Sequence, residues 1–112
     1  MAELPLTAPL FHVLVSLADE DRHGYAIIKD VEDRTGGDVR LSTGTLYGII
    51  KRLLADGWIA EARTRRSDDD ERRRYYRLTP AGRDAALAET SRLERAAAQA
   101  RAALRSRRPQ TT

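Results

Sequence analysis

Between Ser42 and Gly57 the chain places apolar residues at Leu46, Ile49, Ile50, Leu53 and Leu54. That is the i, i+3, i+4, i+7, i+8 spacing of one buried helical face. Ser42 is an N-cap residue type and Asp56-Gly57 a stop signal, so the helix is bounded at both ends. Its opposite side carries Gly44, Thr45, Tyr47, Gly48, Lys51, Arg52 and Ala55. Glycine inside a helix costs roughly 1 kcal/mol relative to alanine. Close approach of a partner to the backbone is one reason to keep two of them. A helix that is small at its start and basic in its middle fits the major groove of DNA. The other reading is an ordinary amphipathic helix with a solvated polar face, and spacing alone leaves both open.

The flanking segments narrow the choice of fold. Thr7-Ala8-Pro9 reads as a helix start, followed by Leu10, Val13, Leu14, Leu17 and Ala18 on one face. After the polar break Asp19-Glu20-Asp21-Arg22, a second helix is expected from about Gly24 to Arg34, carrying Tyr25, Ile27, Ile28 and Val31 and ended by Gly36-Gly37. Val39 and Leu41 alternate with polar neighbours over a stretch long enough only for a tiny strand or an extended turn. Residues 58–64 and 73–78 read as two strands around the acidic turn Ser67-Asp68-Asp69-Asp70-Glu71. Thr79-Pro80 then opens a last helix to about Arg105. Helix, helix, helix, strand, strand, helix is the order of a winged helix. The predicted fold class is mainly α (α+β): a winged helix-turn-helix over residues 1–78, a C-terminal dimerisation helix over 79–106, and a disordered tail over 107–112.

Charge follows the same division. The chain has 20 Lys+Arg against 17 Asp+Glu, a net +3. Residues 1–60 hold 6 Lys/Arg against 9 acids, whereas residues 61–112 hold 14 Arg against 8 acids. Guanidinium groups suit bidentate contact with phosphate. Arg63, Arg65 and Arg66 precede the hairpin tip and Arg72, Arg73 and Arg74 follow it, where a wing meets a DNA backbone or minor groove. The acidic tip opposes phosphate, so it is expected to pair with those arginines or to sit outside the groove. The expected DNA-facing set is therefore Ser42, Thr43, Gly44, Thr45, Tyr47, Gly48, Lys51 and Arg52 on the helix, with Arg65, Arg66, Arg72, Arg73 and Arg74 on the wing.

Other chemistries find little support. There are no cysteines and two histidines, His12 and His23, which read as helix-face or cap residues, so no metal site is expected. The acidic turn lacks the glycine and spaced ligands of a calcium loop. Ser16, Ser42 and Ser67 have no base at useful spacing, and no phosphate-binding glycine loop is present, so neither an enzyme nor a cofactor is expected. The longest apolar run, around Val13–Val15, is too short for a bilayer, and no signal peptide is evident. The expected setting is a reducing cytoplasm.

The last helix carries Ala86, Thr90, Leu93, Ala97, Ala100 and Leu104, spaced four, three, four, three, four. This is a thin, heptad-like seam suited to pairing with a second copy. The alternative is a single exposed helix. A small domain with a helix left over favours pairing, and two recognition helices about 34 Å apart would match a palindromic site.

Several blocks together resemble the PadR family of bacterial transcriptional regulators, in its short-chain form. They are Arg22-His23-Gly24-Tyr25-Ala26-Ile27, Gly44-Thr45-Leu46-Tyr47-Gly48 with Lys51-Arg52-Leu53-Leu54 and Asp56-Gly57-Trp58-Ile59, and Arg74-Tyr75-Tyr76-Arg77-Leu78-Thr79 followed by Gly82. They occur in family order and bracket roughly residues 6–83. The resemblance implies a winged-helix homodimer on double-stranded palindromic DNA, usually a repressor released by a small molecule. Two positions depart from the family pattern: Gly48, where many members have proline, and Leu54, where many have glutamate. In some relatives a flat drug sits between aromatic side chains at the dimer interface. Residues 79–112 contain no aromatic. An effector would then have to use Phe11, His12, Tyr25 or Trp58. The rival to a DNA-binding regulator is a winged helix serving as a protein-interaction module, its arginines merely solvated.

Overall fold

The computed structural model describes residues 4–62 and 74–105. Seven elements follow in chain order: α1 (Ala8–Ser16), β1 (Arg22–His23), α2 (Gly24–Arg34), α3 (Thr43–Ala55), β2 (Ile59–Ala62), β3 (Tyr75–Leu78) and α4 (Pro80–Arg105). The strands form one antiparallel sheet in the order β1-β3-β2, with Arg22 opposite Tyr76 and Ile59 opposite Leu78. The winged-helix order is thus present, with one strand the sequence did not announce. The sequence reads Arg22 as the end of a polar break and His23 as a helix-face or cap residue. Two residues are too few to show a period of two, and only β3 beside them makes them a strand.

Local signals set most boundaries. The Thr7 hydroxyl accepts the Leu10 N–H at 3.3 Å, and Pro9 sits in the first turn of α1. His23 Nδ1 accepts the Ala26 N–H at 3.2 Å and caps α2. At the end of α3 the Trp58 N–H reaches the Leu53 carbonyl at 3.0 Å and the Gly57 N–H reaches Leu54 at 3.1 Å. This paired closure requires the left-handed backbone that Gly57 adopts, φ +75°. Val39 and Leu41 form no strand. The Thr35 hydroxyl accepts the Val39 N–H at 3.0 Å and holds the segment as a bend, while Leu41 drops into the core.

Leu10, Val13, Leu14 and Leu17 from the α1 region pack against Ile27 and Val31 of α2, Leu46, Ile50 and Leu53 of α3, and Trp58, Ile59 and Tyr76 of the sheet. Two expected core positions lie elsewhere. Tyr25 is 78% exposed, because the buried line of α2 runs through Ile27 and Val31 and Tyr25 is two residues, about 200°, away from Ile27. Ala18 is exposed because α1 ends at Ser16 and the helical period lapses. Arg22 ties the α1 end to α2: its Nε donates to the Ser16 carbonyl at 2.7 Å, and its Nη2 lies 3.4 Å from Asp30 and 3.2 Å from Glu20.

The first half of α4 belongs to this same core. Thr79 donates its N–H to the Trp58 carbonyl (3.1 Å) and its hydroxyl to the Gly57 carbonyl (2.6 Å), and caps α4 by accepting the Gly82 N–H (3.1 Å). A Cβ on Gly82 would drive into the Trp58 carbonyl oxygen, so only glycine permits the approach. Further along, Glu89 is 2% exposed. Its carboxylate accepts from Arg92 Nε and Nη2 at 2.9 and 2.6 Å and from the Leu6 N–H at 3.3 Å. The Arg92 guanidinium outweighs burial and holds this carboxyl below the usual glutamate range.

Two stability measurements follow. Gly82→Ala should lower unfolding stability by about 1–3 kcal/mol in urea titrations, the scale of overpacking against a fixed group. A carboxyl with a depressed folded-state pKa contributes stability that is present above the ordinary glutamate range and lost as pH falls through its folded value. The melting temperature of the unaltered chain should therefore exceed that of Glu89→Gln at pH 7, and the gap should narrow as pH falls below the ordinary glutamate range. An equal gap at pH 3 would disprove the role given to this pair.

Candidate nucleic-acid interface

The Ser42 hydroxyl accepts the Thr45 N–H at 3.1 Å and donates to the Thr45 hydroxyl at 2.9 Å, fixing the first turn of α3. From there, burial alternates around the helix as the wheel requires. Leu46, Ile50 and Leu53 are at most 2% exposed, and Ile49 and Leu54 are half-buried. Ser42, Thr43, Gly44, Thr45, Tyr47, Gly48, Lys51 and Arg52 are all exposed. The structure thus gathers the whole helical part of the predicted interface on one solvent-facing side.

That side is open and basic. A Cβ on Gly44 or Gly48 would meet nothing within 4 Å, so the protein's own packing does not require glycine at either position. Arg52 lies 3.8 Å from Asp56, a long exposed pair of little energetic weight. Lys51 has no ion-pair partner among the described residues. Arg40, exposed two residues before the Ser42 cap, adds a cation the wheel could not include because it lies outside the helix. Tyr47 is the exception to a free reading face: it is 47% exposed and leans its phenol over Gly24 of α2. Gly24 itself was not among the predicted site residues. No periodicity marks a residue whose role is to leave room.

On the wing, Arg74 is exposed and lies 3.7 Å from Glu61 across the β2–β3 pair. The predicted contacts at Arg65, Arg66, Arg72 and Arg73, the acidic turn at 67–71 and the tail at 107–112 fall outside the described residues. Arg77, on β3 three residues after Arg74, is also exposed.

The predicted dimer seam divides. Ala86 packs against the chain's own core, and Thr90 donates its hydroxyl to the Ala86 carbonyl at 2.8 Å. Leu93 (41%) and Leu104 (79%) are exposed, as are Ala97 and Ala100. The four predicted effector residues do not share one place. Phe11 and His12, rings 5.2 Å apart and edge-on, line a cleft of about 380 Å³ with Leu6, Ala8, Glu89, Arg92 and Leu93. Trp58 is 8% exposed in the core, and Tyr25 stands out on α2. No helix among the described residues is long and apolar enough to cross a membrane.

This is a winged helix presenting a basic recognition helix. Residues 13–88 match the model of the transcriptional regulator PadR-like family, and the chain belongs to that family of DNA-binding transcriptional regulators. It is similar to the transcriptional regulator Rv3488 of Mycobacterium tuberculosis, at 41% identity over 92 residues that cover 82% of this chain and 80% of the relative. A PadR family regulator from Clostridium difficile R20291 shares the fold, with a TM-score of 0.62 at 24% identity, over 76% of this chain and 85% of that one. BpsR of Bordetella bronchiseptica, whose DNA binding is regulated by 6-hydroxynicotinic acid, superposes with a TM-score of 0.64 at 26% identity, over 82% of this chain and 64% of that one.

Glycine at an open helical position weakens the free protein and favours only a partner that approaches closely. Gly48→Ala should therefore raise stability by up to about 1 kcal/mol while weakening duplex binding. Unchanged duplex binding would mean that this face is merely solvated.

Proposed function

We propose that the chain is a homodimeric repressor that reads a palindromic operator through α3 and works by binding rather than catalysis. In this reading Thr45, Gly48, Lys51 and Arg52 face the groove, and the arginines at 65, 66 and 72–74 grip the flanking backbone. The observation that carries it is the exposed side of α3, which sets two open glycines beside a run of cations, in a chain of a DNA-binding regulator family. The protein-interaction alternative does not account for the family.

Residues 1–78 serve as the reading domain and residues 79–106 as the pairing helix. Exposed Leu93, Ala97, Ala100 and Leu104 continue the α4 stripe past the last core contact and support pairing with a second copy. A small-molecule effector fits the cleft beside Phe11 and His12, at the junction of α1 and α4, where occupancy would bear on both reading and pairing. Regulation of BpsR by a small aromatic acid supports a ligand of that kind. Access to the chromosome places the protein in the cytoplasm.

The test is a titration of promoter duplex at rising salt. Log affinity should fall steeply with log salt, about 0.9 per phosphate neutralised, and one operator should be preferred over random duplex by roughly a thousandfold or more. Lys51→Ala should lower affinity for both and reduce the salt slope by about one. Equal, weak binding to all sequences would overturn the proposal.

A further inference from the structure

The His23-Gly24 step lies beneath the predicted DNA-facing surface, meeting it only at Tyr47, and is packed against both elements that would grip DNA. Residues 22 and 23 pair with β3, the wing strand, placing His23 opposite Tyr75. The His23 imidazole does two things at once. Its Nδ1 accepts the Ala26 N–H and caps α2, and its ring meets the Tyr75 ring edge-on at 5.3 Å and 85°. One residue on, Gly24 is buried under the recognition helix. A Cβ built there would lie 2.7 Å from the Tyr47 hydroxyl oxygen, 3.1 Å from its ring carbon and 3.3 Å from Leu46 Cδ2. Tyr47 has no hydrogen-bonding partner among the described residues, and its ring lies over the space that the missing Gly24 side chain leaves.

We infer that His23 and Gly24 form a joint that fixes the recognition helix against the wing strand, making them specificity-determining positions although neither reads DNA. The inference rests on α3 and the wing acting together on an operator. Base-edge recognition needs donor–acceptor geometry within a few tenths of an ångström, so a small tilt of α3 relative to the wing unsettles base contacts. Phosphate attraction is much less directional and survives it. Altering the joint should therefore separate specific from non-specific binding. A residue that was only structural would move stability and leave that ratio alone.

The experiment measures operator and random-duplex affinities, with melting temperature, for Gly24→Ala, Tyr47→Phe and the double variant. The methyl of Gly24→Ala clashes chiefly with the far end of a half-exposed side chain, which can swing aside. Operator preference should fall about tenfold, the scale of one misread base pair, with random-duplex affinity unchanged within about twofold. Tyr47→Phe removes the atom the methyl meets first, so the double variant should recover most of the preference lost by Gly24→Ala. Full preference in Gly24→Ala, or strictly additive losses in the double variant, would overturn the inference. His23→Asn keeps a capping acceptor but removes the ring on Tyr75, and provides a second arm if Gly24→Ala does not fold. It should cut operator preference several-fold, and an unchanged preference would equally overturn the joint. If the unaltered chain shows no operator preference at all, the reading of α3 as an operator-binding helix fails instead.

Discussion

Leu46, Ile50 and Leu53 sink one side of α3 into a core built from α1, α2 and the sheet, and everything the molecule presents to a partner follows from that burial. Each such side chain contributes roughly 1.5–3 kcal/mol relative to exposure, far more than any exposed ion pair on the surface. With that stripe fixed, the helix cannot rotate about its axis. Its outer side, with Gly44, Gly48, Lys51 and Arg52, is therefore held at a defined orientation. Preorganisation of this kind lets a short helix read a groove without first being ordered by it.

The second constraint is where backbones meet without side chains between them. Gly82 lets the start of α4 rest on the Trp58 carbonyl, and Thr79 fastens that contact with bonds to residues 57 and 58. About two turns further along, the buried Glu89 pairs with half-buried Arg92 and accepts the Leu6 N–H, tying α4 to the segment before α1. Past Leu93 the residues of α4 are exposed.

Legibility in the sequence followed the range of the forces involved. The caps at Thr7, Ser42 and Thr79, the stop at Gly57 and the two faces of α3 are local, and each could be read from residues within one or two turns. The misreadings arose where a distant element decided. Arg22-His23 became a strand because β3 lies beside it. Tyr25 left the core because Ile27 and Val31 set the buried line of α2. Trp58, a reasonable ligand contact by residue type, is covered by the core and the α4 start. His12 and Phe11 came together with Glu89 and Arg92 only because α1 and α4 pack side by side.

By itself the sequence determined α3 and its two faces. Period, cap and charge are all written within residues 42–57, and helix geometry converts them into a buried side and a basic side without outside help. The tertiary structure decided what that helix stands on. Gly24 carries no pattern of its own. Its meaning comes from Tyr47, twenty-three positions later in the chain, which needs the space a side chain would fill. A contact between residues so far apart depends on how α2 and α3 pack, and packing is set by the whole core rather than by any one segment of it.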